Sequence, residues 1–192
     1  MQLLGSSTSP YVRRIRALCM QYGLECQLDS LDIFSPEGRE QLKEKNPVLK
    51  VPALVDDEQT IYDSRVIARY IMNKAGIRAF SWSQENLLTL IDAANDSLVT
   101  QLISIRSGID INADNMFYAI QRERIADIYQ VLDQEVLNGA FDHSHYPTIC
   151  LYCLLDWAEF RELKTYRDYP GLSAFVAKYQ SSQFFIDTNP RN

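Results

Sequence analysis

The spacing of apolar residues changes character once along this 192-residue chain, and that change limits the fold more than any single motif. Up to about residue 75, short apolar runs alternate with helical patterns. Met1 to Gly5 and Cys26 to Leu31 read as strands on either side of a helix that starts at Ser9-Pro10 and carries Val12, Ile15, Leu18, Cys19 and Tyr22 on one face. Ser35-Pro36 opens a polar helix. Val51 to Val55 and Thr60 to Tyr62 flank the acidic turn 56–59 as a hairpin, and Asp63-Ser64 caps a helix bearing Val66, Ile67, Tyr70 and Ile71. Beyond Ser83 every periodic segment is helical. Leu87, Ile91, Ala94, Leu98, Leu102 and Ile105 form a narrow seam, and three further helices follow around Phe117–Val136, Ile149–Phe160 and Leu172–Tyr179. The pattern predicts an α/β domain over 1–76, a linker over 77–83 and an all-α domain over 84–192.

Charge divides at the same place. Residues 1–80 hold 11 Lys/Arg against 10 Asp/Glu, whereas residues 81–192 hold 8 against 15. The net charge of −6 argues against a nucleic-acid partner, because a phosphate backbone would be repelled. No apolar run reaches the ~20 residues of a membrane span, and the first fourteen residues lack the apolar core of an export signal. Four irregularly placed cysteines do not form a disulfide framework. A reducing compartment, the cytoplasm, is the expectation.

Three short segments carry candidate chemistry. Ser9 stands at a helix N-cap, where free amides and the positive end of the dipole favour an anion. An ordinary cap is the simpler reading of a serine there. Arg13, Arg14 and Arg16 lie in the first two turns of that helix, where cations oppose the dipole; they are either solvated or compensated by an anion. Val51-Pro52 enters a strand where proline cannot donate to the ladder, which suggests a bend exposing the Val51 main chain. Asp63-Ser64 is a further helix start with a hydroxyl. On one side of the domain, two anion pockets with a main-chain clamp between them would suit a short extended peptide carrying a thiol and a carboxylate.

Taken in order, Gly5-Ser-Ser-Thr-Ser-Pro-Tyr-Val-Arg-Arg, Asn46-Pro-Val-Leu-Lys-Val-Pro-Ala-Leu and Tyr62-Asp-Ser resemble the three glutathione-site signatures of cytosolic glutathione S-transferases, in the version of the bacterial serine-type members. The likeness extends over the whole chain and includes Tyr169-Pro-Gly-Leu. It implies a thioredoxin-like α/β domain followed by an all-α helical bundle, assembled as a homodimer, with glutathione as co-substrate and no metal. By the same resemblance Ser9 is the catalytic residue, holding the glutathione sulfur as thiolate, with Thr8 in reserve. Val51, before a cis Pro52, pairs with the cysteinyl main chain. Asp63 and Ser64 hold the γ-glutamyl end, and Lys50 meets the glycine carboxylate. A small hydrophobic electrophile would be taken by Tyr11, Ser104 and Ile105. The implied role is detoxification, by conjugation of the thiolate to electrophiles.

The sequence departs from the pattern in places. Leu49 stands where many members have glycine. Thr148 is followed by Leu151, where many have an aspartate that completes a capping box. No cysteine accompanies Ser9, which disfavours thiol-transfer chemistry, and Ser6-Ser-Thr-Ser followed by Pro10 weakens a zeta-type isomerase. His143, His145, Cys150 and Cys153 form a rival zinc or redox constellation, but both cysteines fall on an apolar helical stripe. A non-catalytic binding or regulatory protein on the same scaffold is the alternative function.

Overall fold

Leu3 and Leu4 sit fully inside the first half of the molecule, on a strand that has neighbours on both sides. The computed structural model describes residues 1–142 and 145–192, with only the backbone of His145. The element order in the first half is β1 (Gln2–Gly5), α1 (Pro10–Gln21), β2 (Gln27–Ser30), α2 (Pro36–Lys45), β3 (Ala53–Asp56), β4 (Gln59–Tyr62) and α3 (Ser64–Lys74). The sheet runs β2-β1-β3-β4, with β1 parallel to β2 and antiparallel to β3, and β3 antiparallel to β4. This is the expected thioredoxin-like arrangement. The helix between β1 and β2 makes their parallel pairing possible, and the two-residue turn between β3 and β4 is closed by Asp57 at φ 52°. The hairpin strand begins at Ala53, two residues later than its apolar run, because Val51-Pro52 leads into it outside the ladder.

Val12, Ile15, Ala17 and Leu18 of α1 and Ile67, Ala68 and Ile71 of α3 are buried without residual exposure, and the two helices pack against each other. Gly5 is required at the end of β1: a Cβ there would lie 2.4 Å from Val12 Cγ2 and 3.3 Å from Val51 Cβ. The chain groups into two compact units, 1–79 with 181–192, and 80–180. A short helix, α8 (Gln183–Asp187), lies in the tail of the first unit and packs on α1. Five residues are too few to leave a periodic signature in the sequence.

The second unit consists of α4 (Trp82–Arg106), α5 (Met116–Leu137), α6 (His145–Phe160) and α7 (Pro170–Tyr179). Ser81 and Gln84 form a capping box that starts α4. The seam residues Leu87, Ile91, Ala94 and Leu98 are buried, and α4 packs against α5 and α6. Ile105, at the end of the seam, is exposed. Thr148 is not at a helix start. α6 begins at His145, and the Thr148 hydroxyl donates to the Phe141 carbonyl at 2.9 Å. The missing capping-box aspartate therefore leaves no gap at that position. Among the described residues no helix is long and apolar enough to cross a membrane.

Candidate functional site

Ser9 is the N-cap of α1, in extended conformation, with Pro10 at the first helical position. Its Oγ accepts from the Val12 amide at 3.4 Å, its carbonyl accepts from Arg13 N at 3.0 Å, and its own amide donates to Ser6 O at 3.0 Å. A hydroxyl has one proton to donate and two lone pairs to accept with, so a cap bond of this kind leaves the Ser9 proton for a ligand. Thr8 is placed differently: its Oγ1 shares a 3.1 Å hydrogen bond with Ser6 Oγ, and its amide donates to the same oxygen at 3.3 Å.

The Val51–Pro52 peptide bond is cis. Ahead of it the 46–50 loop is organised by Asn46, which is 1% exposed. Its Nδ2 donates to the Lys50 carbonyl at 2.7 Å, and its Oδ1 accepts from the Val48 amide at 3.0 Å. Lys50 is exposed, and Leu49 holds φ 56° in the left-handed region. Asn46 is the residue that shapes the turn before Val51. Its signal was the asparagine at a helix end, since asparagine readily bonds backbone two residues on.

Asp63 is the N-cap of α3 at φ 68°, ψ 126°. Its Oδ1 accepts from the Arg65 and Val66 amides at 2.8 and 3.4 Å. The helix start expected as an anion pocket is thus occupied by a carboxylate of the chain itself. An ammonium group suits that position better. Ser64 is buried, and its Oγ accepts from Arg14 Nη2 of α1.

Arg14 therefore joins the two helix starts. Its guanidinium lies 4.7 Å from the Tyr11 ring centroid. Arg13 donates to the Phe185 carbonyl at 3.1 Å and to Thr188 Oγ1 at 3.4 Å. Both arginines are almost fully buried, at 2% and 3% exposure. The solvated reading of these two cations is corrected: both are held inside the fold, bonded to hydroxyl and carbonyl oxygens and set against aromatic faces, although the buried Arg14 Nε has no hydrogen-bond partner. Arg16 is partly buried, and burial together with Arg13 holds its pKa below the ordinary guanidinium value. Sequence reading missed the linking role of Arg14 because its partner lies 50 positions away.

Residues 3–79 match the glutathione S-transferase N-terminal domain family. Across nearly its full length the chain is 30% identical to the uncharacterized GST-like protein YibF of Escherichia coli K12, over 99% of this chain and 98% of that one. The chain belongs to the glutathione S-transferase family. Among solved family structures, a glutathione S-transferase from Methylobacillus flagellatus with glutathione bound superposes with a TM-score of 0.85 at 22% identity, covering 97% of this chain and 98% of the other. A glutathione transferase family member from Pseudomonas fluorescens Pf-5, holding S-(propanoic acid)-glutathione, gives 0.83 at 26% identity with 98% of each chain covered.

In this glutathione S-transferase family member the residues expected at an electrophile site fall in separate units. Tyr11 covers Arg14 in the first. Ser104 and Ile105 lie near the end of α4 in the second, where the Ser104 hydroxyl donates to the Thr100 carbonyl at 2.8 Å and Ile105 is exposed. Of the rival metal constellation, Cys150 and Cys153 are buried in α6, His143 lies outside the described residues, and His145 is placed by its backbone alone. Among the described residues no group of three or more His, Cys, Asp or Glu gathers as a ligand set.

Proposed function

We propose that this chain is a glutathione transferase that conjugates the glutathione thiolate to small electrophiles, with the Ser9 hydroxyl donating to the sulfur. The observation that carries the reading is the Ser9 cap bond, which uses a lone pair of Oγ and leaves its proton for the ligand. Thr8 shares its hydroxyl with Ser6, which favours Ser9 as the donor. A free thiol of pKa about 8.5 is mostly protonated at neutral pH. A donor at the positive end of a helix favours the anion, and each unit of lowering corresponds to about 1.4 kcal/mol.

The remaining residues take up the tripeptide. Val51, ahead of cis Pro52, pairs main chain to main chain with the cysteinyl unit. The Ser64 hydroxyl, with the Arg14 charge behind it, suits the γ-glutamyl carboxylate, and Asp63 suits the ammonium beside it. Lys50 meets the glycine carboxylate. In the reaction the thiol proton passes to solvent and a sulfur–carbon bond forms at the electrophile; either a leaving group departs with the bonding electron pair, or the thiolate adds to a conjugated double bond and the resulting carbanion takes a proton from solvent. Activation and proximity suffice for this, without metal or covalent enzyme intermediate. Bound glutathione in the Methylobacillus relative, and a glutathione conjugate in the Pseudomonas one, support the substrate class. By the same family likeness the protein acts as a cytoplasmic homodimer in detoxification.

Calorimetric titration with glutathione, in buffers of different ionisation enthalpy across neutral pH, tests the proposal. Wild type is expected to bind and release a proton, and Ser9→Ala to bind without release. Failure of wild type to bind millimolar glutathione overturns the transferase reading and leaves an interaction module. Undiminished proton release in Ser9→Ala overturns the role of Ser9.

A further inference from the structure

Between α2 and β3 the main chain turns around one buried amide side chain. Asn46 follows the last residue of α2, and its own N–H donates to the carbonyl of the equally buried Leu42 at 2.7 Å. Its carbonyl accepts from the Leu49 amide at 3.0 Å. The side chain uses both ends, since Oδ1 accepts from the Val48 amide and Nδ2 donates to the Lys50 carbonyl at 2.7 Å. These bonds tie the 46–50 loop to the end of a packed helix.

The bond to Lys50 also orients the next residue. The Lys50–Val51 peptide is trans, the cis bond being the one after it. In a trans peptide the C=O and the N–H point in opposite directions. Holding the Lys50 oxygen against the buried Asn46 amide therefore turns the Val51 N–H away from it. Val51 precedes the β3 ladder, and among the described residues its N–H has no hydrogen-bond partner. Its side chain packs with Leu4, Leu42 and Ala53. It also stands beside Gly5, where an added Cβ would meet Val51 Cβ at 3.3 Å and Val12 Cγ2 at 2.4 Å. The Val12 amide is the one bonded to Ser9 Oγ. Packing on one side and the Asn46 bond on the other thus fix Val51 next to the turn that carries Ser9.

We propose that Asn46 is a positioning residue for glutathione: by holding the Lys50 carbonyl it aims the Val51 amide at the cysteinyl carbonyl of the tripeptide. This role rests on the transferase reading above, and Asn46 acts through Val51, not on the reacting sulfur. An amide fixed before the ligand arrives binds without the entropic cost of ordering a loop. Asparagine suits the task because it offers a donor and an acceptor together, and in a buried position both must be paired.

Two substitutions separate the bonds. Asn46→Ala removes both, whereas Asn46→Asp, when ionised, keeps the acceptor for Val48 and loses the donor for Lys50. In calorimetric titration both are expected to bind glutathione about two- to tenfold more weakly than wild type, the range of one hydrogen bond. Their affinity for γ-glutamylcysteine, which has the cysteinyl unit without the glycine, is expected to fall by the same factor. In Asn46→Ala the pH at which the bound thiol ionises, followed by thiolate absorbance, is expected to stay at the wild-type value, because Ser9 is untouched. Wild-type affinity in Asn46→Asp overturns the inference, since the shape of the loop would then suffice. A loss confined to glutathione also overturns it, because the effect would then lie at Lys50 and the glycine carboxylate; so does a shifted thiol ionisation. Should the variants fold poorly, the wild-type Val51 amide decides alone. Its nuclear magnetic resonance signal is expected to move, and its hydrogen exchange to slow, on saturation with glutathione. Binding that leaves the Val51 amide unchanged overturns the role of Asn46 and leaves the transferase reading standing, whereas no binding at millimolar glutathione overturns both.

Discussion

Leu49 holds, at the scale of one residue, a backbone conformation that glycine takes more readily. It adopts φ 56°, which costs an L-residue about 1–2 kcal/mol, and its side chain is 39% exposed, so burial offsets only part of that cost. Leu49→Gly is expected to raise stability by about 1 kcal/mol, seen as a higher urea midpoint at unchanged slope. The Lys50 carbonyl remains held by Asn46 in that variant, since the bond comes from the asparagine side chain. Asp63 is also left-handed, at φ 68°, but there the carboxylate gains two amide donors by standing at the helix start. The two positions therefore call for different treatment. Strain at Asp63 accompanies a residue we place in the glutathione site, whereas Leu49 stands in a turn whose backbone conformation glycine adopts without strain.

Between elements, single side chains replace missing local signals. α7 has Tyr169 as N-cap with no side-chain cap bond. Its cap comes from α5: Asp133 Oδ1 accepts from the Leu172 amide at 3.0 Å. Gly171 permits the approach, since a Cβ there would lie 2.7 Å from the Asp133 carbonyl oxygen. The Tyr169-Pro-Gly-Leu segment is thereby explained as proline at the first turn, glycine for closeness and a leucine amide offered to a buried carboxylate. Asp133→Ala is expected to cost about 1–3 kcal/mol in chemical denaturation, and Asp133→Asn, which keeps the acceptor, less. In the first unit Asp56 at the end of β3 accepts from Lys74 and Tyr70 of α3, the latter at 2.6 Å. The Lys74 bond first, then the Tyr70 bond, hold the Asp56 carboxyl below its ordinary value. A carboxylate depressed in the folded state stabilises above its unfolded pKa of about 3.9 and loses that contribution as pH falls through the folded value. Urea midpoints measured on acidification are therefore expected to drop less steeply below pH ~4 in Asp56→Asn than in wild type.

Over the whole chain, the tail belongs with the beginning. Phe185, 1% exposed, and Thr188 receive Arg13 of α1 across more than 170 positions. Phe185→Ala is expected to destabilise the first unit by about 3–5 kcal/mol, measured as loss of amide-exchange protection in α1. The sequence by itself determined the order of β1 to α3, the all-helical character of the second half and the three segments that line up with the family's glutathione signatures. Each of these rests on contacts a few residues apart, where periodicity, caps and turn residues are read directly. The tertiary structure alone decided that Arg14 ties Ser64 to the Ser9 helix, that Asp63 fills the helix start expected to take an anion, and that Asp133 caps α7. Two of these pair residues that local patterns do not connect. The third depends on which way one carboxylate turns, and hydrogen bonds of this kind are selected by the packing that brings the groups within 3 Å or so of each other.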